Sequence, residues 1–151
     1  MTRMIARRTC LIGIGGSALL VASGAKAAPL ERPRAVLQKY FRLINQRRFY
    51  AAFHVWELEA DGRNSAGQTL KQFAAGFAQT RSVSAQIGAE GEGDSGAGSE
   101  YIPLDVTLTA KLRSGKVQLF ESSYTMRPSL NPDGHHDWLI YTAKMSLADR
   151  D

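Results

Sequence analysis

The sequence predicts an α+β domain in which N-terminal helices pack on a curved antiparallel β-sheet. Three observations carry that expectation. Between Val36 and Phe77 apolar residues recur at helical spacing. From Ile102 onward the period drops to two: Ile102, Leu104, Val106, Leu108, Ala110 and Leu112 alternate with Asp105, Thr107, Thr109 and Lys111. No helical stretch separates the later strands, so they connect by turns, run antiparallel and leave the helices on one face.

Ahead of the domain, residues 1–27 read as a cleaved signal peptide. Arg3, Arg7 and Arg8 form a basic start, "CLIGIGGSALLVASGA" (10–25) a modest apolar core, and Ala25-Lys26-Ala27 a small-x-small cleavage site. The paired arginines in "ARRTCLI" and the later Lys26 suit twin-arginine export; Cys10, where an aromatic is usual, suits a general secretion signal with two incidental arginines. The apolar run is too short and glycine-rich for a membrane span, and none is expected in the mature protein. A periplasmic or secreted bacterial location follows. Residues 28–35, with Pro29 and Pro33, read as a linker, and 36–148 as one domain.

Along the domain, Val36, Leu37, Tyr40, Phe41 and Ile44 make one helix face, and the stripe resumes after "NQRR" as Tyr50, Phe53, Val55 and Trp56. Two helices, or one bent at Asn45, are expected. "ADGRNSAG" (60–67) is a loop. Thr69 and Gln72 form a capping box ahead of Leu70, Phe73 and Phe77. "SVSAQIGA" (82–89) suits a strand, and "GEGDSGAGSE" (91–100) a loop. Ser114-Gly115 reads as a two-residue hairpin turn, "NPDG" (131–134) as a second turn, and "DWLIYTAKMSL" (137–147) as the closing strand.

Charge and cysteine usage exclude several functions. Four of the 19 basic residues (Arg3, Arg7, Arg8, Lys26) lie in the signal and none of the 14 acidic ones does, which leaves 15 against 14. The overall pI near 9.6 is therefore a property of the leader, and no nucleic-acid partner is expected. Cys10, the single cysteine, sits in the signal, so the domain has no thiolate nucleophile, thiolate metal site or disulfide.

In order and pattern, "YFRLINQRRFYAAFHVW" (40–56), "TLKQFAAGFAQTRSV" (69–83), "PLDVTLTAKLRSGKVQLFESSYTMRP" (103–128) and "WLIYTAKM" (138–145) resemble small exported bacterial members of the nuclear-transport-factor-two-like superfamily, the cystatin-like cone. The resemblance covers nearly all of the mature chain, through core positions rather than a catalytic signature. It implies a cone-shaped pocket between helices and sheet, often with a homodimer through the sheet's outer face, in a fold that hosts both enzymes and non-enzymes.

A two-residue turn at Ser114-Gly115 sets Leu108 opposite Glu121 and Asp105 opposite Tyr124. Glu121 then joins the apolar face toward the helices. There a carboxyl has a raised pKa and serves as acid or base, with Tyr141 as a donor for a developing enolate. The plainer reading puts Glu121 at the open rim in water, or turns it outward through a one-residue bulge. Asp105 with Tyr124 reads as a surface or dimer-face hydrogen bond. Tyr50, Phe53 and Trp56 read as the helix face that closes over the sheet, and with Glu121 and Tyr141 as the candidate pocket; Arg47 and Arg48 read as solvated. His54, "HHD" (135–137) and the Glu90/Glu92/Asp94 alternation lack metal-site geometry, so no cofactor or metal is expected.

The expected function is an exported, non-catalytic domain that binds a small apolar or amphipathic molecule or a protein partner. The alternative is a small isomerase, dehydratase or cyclase of ketosteroid-isomerase-like type, using Glu121 or Asp105 as base. A structural module with a filled cone is a third reading.

Overall fold

A computed structural model describes residues 32–93, 100–129 and 137–148. Helix α1 spans Pro33–Asn45, α2 Phe49–Phe53 and α3 Leu70–Gly76, followed by strands β1 Thr80–Glu90, β2 Ile102–Leu112, β3 Val117–Pro128 and β4 Trp138–Leu147. The strands form one antiparallel sheet in the order β1-β2-β3-β4. The helices pack on one face of this open sheet, as the change of period requires. The signal, the "NPDG" turn and the two histidines of "HHD" lie outside the described residues.

Each helix has a local cause. Pro33 opens α1 with its φ already helical and no N–H to leave unpaired. Burial of Val36, Leu37, Tyr40, Phe41, Leu43 and Ile44 then supplies most of its stability. At Arg47 the backbone enters the left-handed region at φ 60°, which ends α1 and starts α2 on a new axis. The capping box of α3 is complete: Gln72 N–H donates to the Thr69 hydroxyl at 3.2 Å, and Thr69 N–H to Gln72 Oε1 at 2.9 Å.

The core lies between helices and sheet. Leu104, Val106, Leu108 and Ala110 of β2, Tyr124 and Met126 of β3, and Ile140 of β4 meet Leu37, Tyr40, Phe41, Phe53 and Trp56. After α2 the chain runs beside β4, where Ile140 N–H donates to Val55 O and Glu57 N–H donates to Ile140 O. A small loop follows, closed by fully buried Asn64, and returns the chain to α3.

The register differs from the expected one by a single residue. Thr107 faces Glu121, Leu108 faces Phe120, Asp105 faces Ser123 and Leu104 faces Tyr124. The turn is the reason. Leu112 N–H donates to Lys116 O and Gly115 N–H donates to Leu112 O, so the loop holds three residues, Arg113, Ser114 and Gly115. Gly115 takes φ 89°, the left-handed position that closes this kind of loop. One extra loop residue reverses the facing of all of β3. Phe120, Tyr124 and Met126 therefore turn inward, and Glu121 turns out.

Candidate functional site

A cavity of about 370 Å³ lies between the helices and the inner face of the sheet. Tyr40 and Phe41 of α1, Trp56, Phe73 of α3, Phe77, Leu108 and Ala110 of β2, Phe120 and Tyr124 of β3, and Ala143 and Met145 of β4 make most of its wall. The aromatic rings brace one another: Phe41 meets Tyr124 edge-on at 5.8 Å between centroids, and Tyr40 meets Trp56 at 6.4 Å. Among the described residues no Asp, Glu, Lys, Arg or His lines this space.

Its polar groups are few. Tyr40 and Tyr124 are 3% and 2% exposed, with ring centroids 6.4 Å apart. Burial pushes the Tyr40 phenol up to about 12, partly opposed by the nearby Trp56 N–H. Burial, and then the neighbouring Tyr40, also raise Tyr124. Both phenols are thus held as neutral hydroxyls. The buried Trp56 Nε1–H lies near Tyr40 but has no acceptor at hydrogen-bonding geometry among the described residues. Gln68 and Gln118 stand at the wall, and Gln68 is held by Asn64, whose Oδ1 accepts the Gln68 N–H at 2.8 Å. The arrangement can enclose an apolar body and offer it a few neutral hydrogen-bond groups.

The expected site residues separate. Phe53 and Trp56 are buried, and Trp56 lines the cavity while Phe53 packs edge-on against Phe73. Tyr50 is 68% exposed and lies against His54, with centroids 4.3 Å apart; α2 is too short to carry the stripe around. Glu121 and Asp105 are exposed on the opposite face of the sheet. With Thr107, Ser123, Lys144 and Ser146 they line a polar depression of about 580 Å³. Tyr141 joins neither, because a bulge between Thr125 and Met126 shifts the β3–β4 register beside it.

Tyr141 instead belongs to a cluster that sequence reasoning missed. The Arg127 guanidinium lies over its ring, 4.8 Å from the centroid, pairs with Glu57 Oε1, and donates to the Tyr101 hydroxyl at 3.4 Å. Tyr101 and then the Glu57 charge raise the pKa of Arg127 against the opposing effect of burial. Glu57 Oε2 is buried without a partner among the described residues. Nothing local in "WELEA" or "TMRPS" signals the pair, since it spans 70 positions. Arg47, expected to be solvated, donates to the Phe77 and Thr80 carbonyls and ties the α1–α2 break to the start of β1.

Among the described residues no group of three His, Cys, Asp or Glu side chains stands together as a metal site, and no helix is long and apolar enough to cross a membrane. In comparison with known proteins, no family model, curated protein or solved structure matches the chain significantly.

Proposed function

We propose that the chain is an exported, non-catalytic binding domain that holds a small, uncharged, mainly apolar molecule between its helices and sheet. The observation that carries this reading is the aromatic cavity of about 370 Å³ with its buried phenols, lined by no charged side chain among the described residues. Small-molecule sites combine this kind of apolar wall with a few polar groups that fix orientation. A ligand with a carbonyl or ether oxygen suits this wall, since Tyr124, with no hydrogen bond among the described residues, can donate to it. A charged ligand would enter without a counter-charge, at a large desolvation cost. The leader residues 1–27 support export. The isomerase-like or dehydratase-like alternative needs a carboxylate in this cavity, whereas Glu121 and Asp105 sit across the sheet.

Two neutral fluorophores test the reading on the full chain, phenylnaphthylamine and a naphthyl ketone. Both should bind and brighten. Ala110→Phe, which fills the cavity from β2, should abolish binding of both. Tyr124→Phe should weaken only the ketone, by roughly fivefold for one neutral hydrogen bond. Equal binding by a folded Ala110→Phe variant, or no binding by the parent chain, would overturn the reading.

A further inference from the structure

The two edges of the sheet are treated differently. Along β1, the free edge is plugged by side chains. Asn45 Nδ2 donates to Val83 O and Asn45 Oδ1 accepts Val83 N–H, each at 2.8 Å. Arg47 covers Thr80 O, and Arg113 Nε donates to Ala78 O at 2.9 Å just ahead of the strand. Side chains that occupy backbone groups in this way keep another strand from adding.

Along β4, only Ile140 is engaged by described residues, through Val55 and Glu57. Beyond it the ladder fixes which residues face outward. Ala148 N–H donates to Leu119 O, so Ser146 and Lys144, at the same parity, also bond toward β3. Ala143, Met145 and Leu147 therefore present N–H and C=O to the open edge, and no described residue takes them. Met145 and Leu147 are also 52% and 60% exposed, on the face that holds the cavity. A long unplugged edge with apolar side chains is a template for another strand.

We infer that this edge pairs with a second copy of the chain, β4 against β4 in antiparallel sense, to give a two-fold dimer with one continuous sheet. Antiparallel edge pairing is self-complementary, as a two-fold interface requires. The length of the free segment and its charge together select the register. Pairing the whole free segment 142–148 with itself sets Met145 against Met145 and Ala143 against Leu147, and places Lys144 opposite Ser146. Sliding each copy one residue toward Ile140 would bring Lys144 directly opposite Lys144, which is unfavourable. In the chosen register the second copy's Met145 meets the Met145 that walls the cavity. The inference stands whatever the cavity holds.

Sedimentation velocity on the full chain and amide hydrogen exchange along β4 test it together. The expected result is a dimer in which the Ala143, Met145 and Leu147 amides exchange as slowly as those of Lys144 and Ser146. Met145→Pro removes an outward N–H without touching the β3 ladder, and Leu147→Lys adds charge to the seam at an exposed position; each should halve the mass and release the outward amides. A monomer with fast outward amides overturns the inference. So does a dimer with fast outward amides, which would place the contact elsewhere, such as on the sheet's outer face. A monomer with slow outward amides also overturns it, by showing that the chain covers its own edge.

Discussion

Asn45 takes the place of a fifth strand beside Val83. Its amide nitrogen donates to the Val83 carbonyl and its amide oxygen accepts the Val83 N–H, both at 2.8 Å across 38 positions. The last residue of α1 is thus fastened to the middle of an edge strand, and the helix end and β1 are held in one register. Asn45→Ala removes both bonds and leaves the Val83 groups to water. At about 1 kcal/mol per neutral hydrogen bond, the loss should be about 1–3 kcal/mol, read as a lower midpoint in urea unfolding. Asn45→Asp keeps the acceptor but sets a carboxylate oxygen against the Val83 carbonyl where the donor stood, so it should cost at least as much as Asn45→Ala. An unchanged midpoint in both variants would show that the plug contributes nothing to stability.

Stability should fall steeply in alkali. Tyr40 is raised by burial from 10.0 to about 12, and Tyr124 is raised in the same direction. The folded state keeps these protons to higher pH than the unfolded chain does. Below pH about 10 the contribution is fully present; above it the unfolded chain binds fewer protons, and stability is lost as pH rises toward 12. Two pH units on one buried phenol correspond to on the order of 3 kcal/mol. The melting temperature should hold steady up to pH about 9 and then drop, and Tyr124→Phe should shallow the drop. A melting temperature flat through pH about 11 would contradict burial of both phenols.

The Glu57–Arg127 pair should matter more through geometry than through charge. Its side chains are 21% and 31% exposed, so the Coulomb attraction is partly screened. The guanidinium nevertheless meets a carboxylate, a phenol and a ring face at once, a combination that an ammonium cannot reproduce. Arg127→Ala should cost about 1–3 kcal/mol, and Arg127→Lys should recover little of it. Glu57→Gln should cost less than Arg127→Ala, because it keeps an acceptor for the guanidinium and leaves no buried charge uncompensated. Guanidinium titrates would mask the charge effect, so urea at low and high salt is the measurement; equal midpoints for Lys and Arg at 127 would refute the stacking argument.

The helices and the alternation of β2 could be read from sequence because each pattern has only one buried solution. The strict apolar alternation from Ile102 to Ala110 leaves the other face with Asp105, Thr107 and Thr109, so its orientation has one solution. In β3 both parities carry apolar residues: Val117 and Leu119 on one, Phe120, Tyr124 and Met126 on the other. There the pattern does not choose a face, and the turn does. Ser114-Gly115 suits a two-residue loop as well as the end of a three-residue one, and this single ambiguity moved Glu121 across the sheet. The cavity's walls were partly legible, since Tyr40, Phe41, Trp56 and Phe73 lie on predicted core faces. Its phenol from Tyr124 was not, because that residue's facing depended on the same turn. The Glu57–Arg127 contact, like the Asn45 plug, depends on distant backbone meeting and has no local signature.

The turn itself is the place to test the register. Gly115 sits at φ 89°, and a Cβ added there would meet nothing within 4 Å, so Gly115→Ala is a backbone substitution alone. It should cost about 1–2 kcal/mol for forcing an L side chain into the left-handed region, and Gly115→Asn should cost less. Deleting Ser114 is a different experiment, because it leaves Arg113 and Gly115 as a two-residue loop between the same Leu112–Lys116 pair. The facing of β3 is then unchanged, with Phe120, Tyr124 and Met126 inward and Glu121 outward. The deletion variant, like Gly115→Ala, should therefore keep a cooperative unfolding transition at a lower midpoint. Loss of that transition on deletion would contradict Leu112 and Lys116 as the pair that closes the hairpin.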